Sequence, residues 1–294
     1  MEHFALIVFS ICVQAAIGIM VFVALAKLLK HEGVYKTALL SAAGLAIVSL
    51  LASLLHLGRP LSAINSLIQF GSSWISREIW FTGIFAVLAI VIALLILFKP
   101  AAKKAVNVLI PIAAIIGLID VFATASIYYS TSVPAWQHGS VFVEHFAATL
   151  SMGALLFLAL SNKEAARMRL IASAVIGIAV VIQVAAMAVY YVDLGANASL
   201  AAQESISLLS GMSAAIIIKW VFILLGAGLL ILPKKQEVLP SSTAGKTASE
   251  TAAASETGHK TGLIYLAAAL LIIGQIGGRY LFYAAMIITG VGLN

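Results

Sequence analysis

Eight apolar runs, each about 20 residues or longer and separated by short polar stretches, constrain this protein more than any other feature. A hydrocarbon core ~30 Å thick is crossed by about 20 helical residues, so each run is long enough to span a bilayer. Inside lipid every backbone N–H and C=O must be satisfied within its own segment, which selects helices. The expected spans are 4–29, 37–57, 79–98, 105–129, 141–161, 170–192, 211–232 and 262–288. The reading is an all-α membrane protein of eight transmembrane helices, with residues 1–294 forming a single integral membrane domain. Composition agrees: 63% of residues are hydrophobic and 10% charged, too apolar for a soluble domain of this size. The first run resists a signal-peptide reading, because Met1-Glu2-His3 supplies no basic region and no small-residue cleavage site follows.

The net charge of +6 would draw attention to nucleic acid, but its distribution points to topology instead. Lys27, Lys30, Lys36, Lys99, Lys103, Lys104, Lys163, Arg167, Arg169, Lys234, Lys235, Lys246 and Lys260 all fall on one side of the alternating spans. The other side holds Arg59 and Arg77, while Lys219 and Arg279 lie within spans. The positive-inside rule makes the thirteen-residue side cytoplasmic and puts both termini outside. The expected partner of the surface is the lipid bilayer, not nucleic acid. Between the seventh and eighth spans, residues 233–261 are rich in Ser, Thr, Ala and Glu and read as a disordered cytoplasmic linker.

The outer connections carry their own signals. After the second span, Pro60 suits a first helical turn, Leu61, Ile64, Leu67 and Ile68 share one face, and Gly71 can end the segment. This predicts a short helix lying in the outer interface, with Trp74 as its aromatic anchor. Residues 196–209 are a candidate for a second one. The two connections open on His56-Leu57-Gly58 and Asp193-Leu194-Gly195, a placement compatible with two four-helix halves of equal orientation.

Ionisable residues within spans cost roughly 2.5–3.5 kcal/mol near the bilayer centre, so each requires a reason. They are His56, Glu78, Asp120, Glu144, His145, Lys219 and Arg279, and all fall in the outer half. An outward-facing polar pocket accounts for the clustering. A quinol needs partners for two hydroxyls and acceptors for two protons, which neutral His and a carboxylate such as Glu78 or Asp120 supply. Ordinary alternatives stand beside this. His56 could be a plain interfacial histidine, Glu78 an acid favoured by a helix N-terminus, Arg279 a snorkelling cation, and Asp120 with Lys219 a structural ion pair. A haem would need two axial histidines, for which His56 and His145 qualify, but one outer pair without an inner pair makes a poor electron path, and no haem is expected. The single cysteine, Cys12, rules out an iron–sulfur cluster held by this chain alone.

Residues 54–79 read LLHLGRPLSAINSLIQFGSSWISREI and resemble the membrane-anchor subunit of bacterial dimethyl sulfoxide reductases. The matching residues are His56, Leu57, Gly58 and Pro60, then Asn65, Ser66 and Leu67, then Ser76, Glu78 and Ile79; Gly278 to Tyr283 resemble that family's last helix. The resemblance implies a bacterial cytoplasmic-membrane anchor for an iron–sulfur subunit and a molybdopterin catalytic subunit on the outer face. It implies menaquinol oxidation on the outer side in anaerobic respiration, with His56 and Glu78 at the quinol. The expected menaquinol-binding set is His56, Arg59, Glu78, Asp120, His145 and Arg279, with no metal and no catalytic residue of this protein's own. The competing classes are a multi-pass transporter with a polar site in its outward half, against which a single in-span proline, Pro111, argues mildly, and an anchor without a quinone site.

Overall fold

The structure, a computed structural model, describes residues 2–31, 33–56, 67–231 and 246–287. Each apolar run becomes a helix: α1 (Glu2–Leu28), α2 (Lys36–His56), α3 (Trp74–Phe98), α4 (Lys103–Tyr129), α5 (Ser140–Ser161), α6 (Arg169–Ala196), α8 (Ser213–Ile231) and α9 (Lys246–Ala284). Between α6 and α8 lies the shorter α7 (Leu200–Gly211), and a 3-10 turn over Asn162–Met168 joins α5 to α6. Eight of these helices are long and apolar enough to cross a membrane, and all eight expected spans are present. Large apolar side chains face outward along them, among them Leu55, 81% exposed, and Val181, 68% exposed, as lipid-facing residues do.

Two expectations shift at the edges. α3 starts at Trp74 rather than residue 79 because Ser73 caps it, its hydroxyl accepting from the Ser76 N–H at 3.4 Å. Arg77 then reaches back to the carbonyls of Phe70 and Gly71 at 3.0 and 2.8 Å, and Trp80 to that of Leu67 at 3.0 Å. Glu78 therefore sits inside the first turns of α3 and not at its cap. The segment expected to be a disordered linker differs also: 246–261 extend α9 backward as helix, while 232–245 lie outside the described residues. Ala, Lys and Glu are good helix formers, and elongating an existing helix avoids the cost of nucleation. The interfacial helix expected after the second span falls largely on 57–66, outside the described residues, and α7 occupies the second candidate segment.

The helices assemble in a pattern that repeats. α1 packs on α2 and α4, and α3 pairs with α4 and α2; in parallel, α5 packs on α6 and α9, and α8 pairs with α9 and α6. α1 and α5, the first helix of each set, face one another at the centre. They touch backbone to backbone: a Cβ on Gly18 would fall 2.6 Å from the Gly153 Cα, and one on Gly153 would fall on the Gly18 backbone. Without a hydrophobic drive between helices in lipid, such small-residue contacts gain dispersion energy by close approach. α1 is accordingly the most enclosed span, with 78% of its apolar window buried against 28% in α8.

Connections that should share a side meet. The Tyr35 N–H, before α2, donates to Glu164, after α5, at 2.6 Å. At the other end His138 meets Asp193 at 3.1 Å, Trp136 donates to the Phe282 carbonyl at 2.9 Å, and Ser205 to that of Ala285 at 2.9 Å. The alternation of basic and non-basic connections thus corresponds to two physical ends of the bundle.

Candidate functional site

Counting ~1.5 Å per helical residue from the non-basic end, Glu78 and Glu144 lie about 6 Å in, Arg279 about 8 Å, Lys219 about 9 Å and Asp120 about 14 Å. They form two clusters, one in each half of the bundle.

In the first half, α3 and α4 face each other through acids and hydroxyls. The Thr124 hydroxyl donates to Glu78 Oε1 at 2.7 Å, with the Asp120 carbonyl 3.1 Å away as its other acceptor. One turn deeper, the Thr82 hydroxyl reaches both carboxylate oxygens of the buried Asp120, at 2.9 and 3.0 Å. Among the described residues no cation pairs with either carboxylate. A buried carboxylate without a cation is costly, and among the described residues Thr124 and Thr82 are the hydrogen-bond partners of these two. Two further expected site residues, Arg59 and the His56 side chain, lie outside the described residues.

In the second half the polar groups satisfy one another. His145 is fully buried; its Nδ1 lies 2.7 Å from the Val141 carbonyl, so that nitrogen carries the proton, and its Nε2 accepts from Arg279 Nη1 at 2.9 Å. Both ring nitrogens are thereby engaged. Arg279, 4% exposed, also donates to Gln14 on α1 at 2.9 Å and stacks on Phe282 at 5.7 Å. Lys219 pairs with Glu144 at 3.2 Å, and Gln183 donates to the same carboxylate at 3.2 Å. Gln183 and Gln275 exchange amide hydrogen bonds at 3.3 and 3.2 Å. The alternative of an Asp120–Lys219 ion pair is corrected by this geometry: Lys219 takes Glu144, and Asp120 takes Thr82. Beside the ion pair runs a cleft of about 30 Å³ lined by Tyr190, Met187 and Phe282 among others, room for a water or two.

A tyrosine pair joins the clusters. The hydroxyls of Tyr128 on α4 and Tyr283 on α9 lie 2.9 Å apart, and Tyr128 also packs against the His145 ring at 5.7 Å between centroids. Sequence reasoning missed these tyrosines, the threonines and the glutamines. A signal was present: Asp120, Thr124 and Tyr128 repeat the four-residue spacing of Gln275, Arg279 and Tyr283, one helical stripe in the last span of each half. The Asp120 carboxylate belongs to the first-half stripe, faced by Glu78 from α3, and the guanidinium belongs to the second. Of the six residues expected at the site, four are placed, Glu78 with Asp120 in one cluster and His145 with Arg279 in the other.

The fold and these buried polar stripes define an eight-span helical membrane protein with a polar cluster between helix pairs at its non-basic end. The chain belongs to the DMSO reductase anchor subunit (DmsC) family, whose model matches residues 1–285. It is similar to the C subunit of the anaerobic dimethyl sulfoxide reductase of Haemophilus influenzae, 31% identical over 137 residues, 45% of this protein and 49% of that one. It is also similar to the YnfH subunit of an anaerobic dimethyl sulfoxide reductase of Escherichia coli, 24% identical over 246 residues, 84% of this protein and 80% of that one. The aligned stretch spans about half the length of the Haemophilus protein.

Proposed function

We propose that this protein is the membrane anchor of a dimethyl sulfoxide reductase-like complex in a bacterial cytoplasmic membrane, and that it oxidises menaquinol on the outer side. The observation that carries the reading is the pair of carboxylates Glu78 and Asp120 on α3 and α4, with no cation partner among the described residues and with Thr124, which donates to Glu78, one turn from Tyr128 of the tyrosine link. Menaquinol, when bound, supplies two electrons and two protons. The residues present fit that chemistry. Glu78 stands nearest the non-basic end as the first carboxylate acceptor, held by Thr124, and Asp120 lies one to two turns deeper as a second acceptor held by Thr82. His56 and Arg59 complete the set from the second span and its connection. Arg279 and His145, fixed by Gln14 and Val141, hold a positive field on the far side of the tyrosines.

Electrons leave to an iron–sulfur subunit that covers 58–77 and 130–140 at the outer face and passes them to a molybdopterin subunit. The termini then lie outside. Reporter fusions after residues 33, 101 and 165 report cytoplasm, and those after 134 and 200 report the outside; a cytoplasmic signal at 134 refutes the orientation. The functional test is quinol-dependent reduction of the iron–sulfur clusters in the assembled complex. His56→Ala slows that step about 10²–10⁴-fold, the usual cost of losing a proton-transfer group, while artificial soluble donors still drive the catalytic subunit. Unchanged quinol oxidation in His56→Ala removes that residue from the site.

A further inference from the structure

At the basic end, four lysines border one cavity. Lys27 comes from the last turn of α1, Lys36 from the first residue of α2, Lys99 from the C-cap of α3 and Lys103 from the first residue of α4. The cavity measures about 480 Å³, within the ~300–1,000 Å³ typical of ligand pockets. None of the four ammonium groups forms an ion pair among the described residues. Glu164, a carboxylate of the neighbouring connection, accepts from the Tyr35 N–H and, of the four lysines, acts on Lys27 alone, whose ammonium lies over the Tyr35 ring at 5.8 Å. α4 opens on Ala102, which offers no capping side group, so its free N–H groups and positive dipole end add to the field. Four lysines around one cavity, three of them with no carboxylate acting on them among the described residues, favour an anion there.

The walls say which kind. Leu95 and Ile96 on α3 and Val106 on α4 line the cavity one turn inward from the lysines, where those helices enter the apolar part of the bundle. A free phosphate would fill only the cationic rim. A ligand with a phosphodiester at the rim and hydrocarbon against Leu95, Ile96 and Val106 fills both parts. Basic pockets between transmembrane helices on the cytoplasmic side suit anionic lipid head groups. We propose that this cavity binds the head group of an anionic phospholipid, bridging the first and second helix pairs of the first half.

The test uses the assembled complex, delipidated in mild detergent and titrated with phosphatidylglycerol while bound lipid is counted by native mass spectrometry. The wild type retains one more phosphatidylglycerol per anchor subunit than Lys99→Gln/Lys103→Gln, and the variant binds it about 25-fold more weakly, at about 5-fold for each lysine. Lys99→Arg/Lys103→Arg keeps wild-type retention, and a reporter after residue 101 shows that orientation has not changed in the glutamine variant. Phosphatidylcholine does not replace the lipid, and millimolar inorganic phosphate does not displace it. Equal retention in wild type and the glutamine variant overturns the proposal. So does occupancy by phosphatidylcholine, and so does displacement by inorganic phosphate, which would mark a plain anion site. Should the double variant fail to assemble, Lys36→Gln, an exposed change at a helix start, carries the same test at about 5-fold. Unchanged retention there overturns the proposal equally.

Discussion

The two halves of the bundle use one helix arrangement for opposite electrostatic ends. In the second half the buried charged and amide groups have partners: Lys219 with Glu144, Arg279 with His145 and Gln14, Gln183 with Gln275. In the first half, Glu78 accepts from Thr124 and the Asp120 carboxylate from Thr82, and among the described residues neither has a cation. The stripe that carries Arg279 in α9 carries Thr124 in α4, and the stripe that carries Gln275 carries Asp120. A closed network holds helices in register, whereas carboxylates without a cation are open to a ligand that brings hydrogen-bond donors. On the proposed function, duplicated packing lets one half serve as scaffold and the other as site.

The largest effect should fall on turnover in the first half. Glu78→Gln keeps hydrogen bonding to Thr124 but loses basicity, and should slow quinol-dependent cluster reduction about 10²-fold or more with the complex assembled. Measuring the same step in Lys219→Met sharpens the contrast. If Lys219→Met slows quinol oxidation as much as Glu78→Gln at equal assembly, the division between the halves is wrong.

Lys219→Met should instead act on stability. It leaves Glu144 uncompensated in a largely buried position, for which breaking one member of a pair costs about 3–5 kcal/mol. Thermal unfolding of the complex reads this, and adding Glu144→Gln should recover most of the loss. No recovery would mean that the lysine acts through something other than the pair.

What the sequence disclosed follows the same division. The spans were legible because runs of apolar residues need no neighbour to identify them. The start of α3 was not, since Trp74 to Glu78 is amphipathic and its helicity depends on the Ser73 cap and on Arg77 and Trp80 tying back the preceding turn. That Glu78, Asp120, His145 and Arg279 lie toward one end could be counted along each helix. Which residues meet depends on how each helix is rotated about its axis, and this is set by contacts such as Gly18 against Gly153. Hence Lys219 could be matched to Asp120 on depth alone, while the actual partner, Glu144, lies on a different helix at a similar level.

The Gly18–Gly153 crossing is the next place to press. A methyl at Gly153 meets Gly18 backbone, not a flexible side chain, so Gly153→Ala should force α1 and α5 apart and cost about 1–3 kcal/mol. Gly44→Ala on α2, where an added Cβ has nothing within 4 Å, should cost nothing or stabilise slightly. Equal losses at the two positions in thermal unfolding would show that the backbone contact is not what holds the halves together.

The smallest effect concerns the tyrosine pair, and it decides whether the halves communicate. The Tyr128 and Tyr283 hydroxyls, 2.9 Å apart, join the acidic side to the guanidinium side. Tyr128→Phe removes one hydrogen bond at a net cost of about 0.5–1.5 kcal/mol. Should the pair serve packing alone, Tyr128→Phe and Tyr283→Phe lower stability, the double variant loses less than the sum, and quinol-dependent reduction stays at the wild-type rate. If the pair also fixes the field that Arg279 exerts on the Glu78 cluster, the single variants shift the pH profile of quinol oxidation while leaving oxidation of soluble donors unaltered. We expect the second outcome, because Tyr128 packs against His145, which Arg279 contacts directly. A wild-type pH profile in both single variants would confine the link to architecture and leave the two halves electrostatically independent.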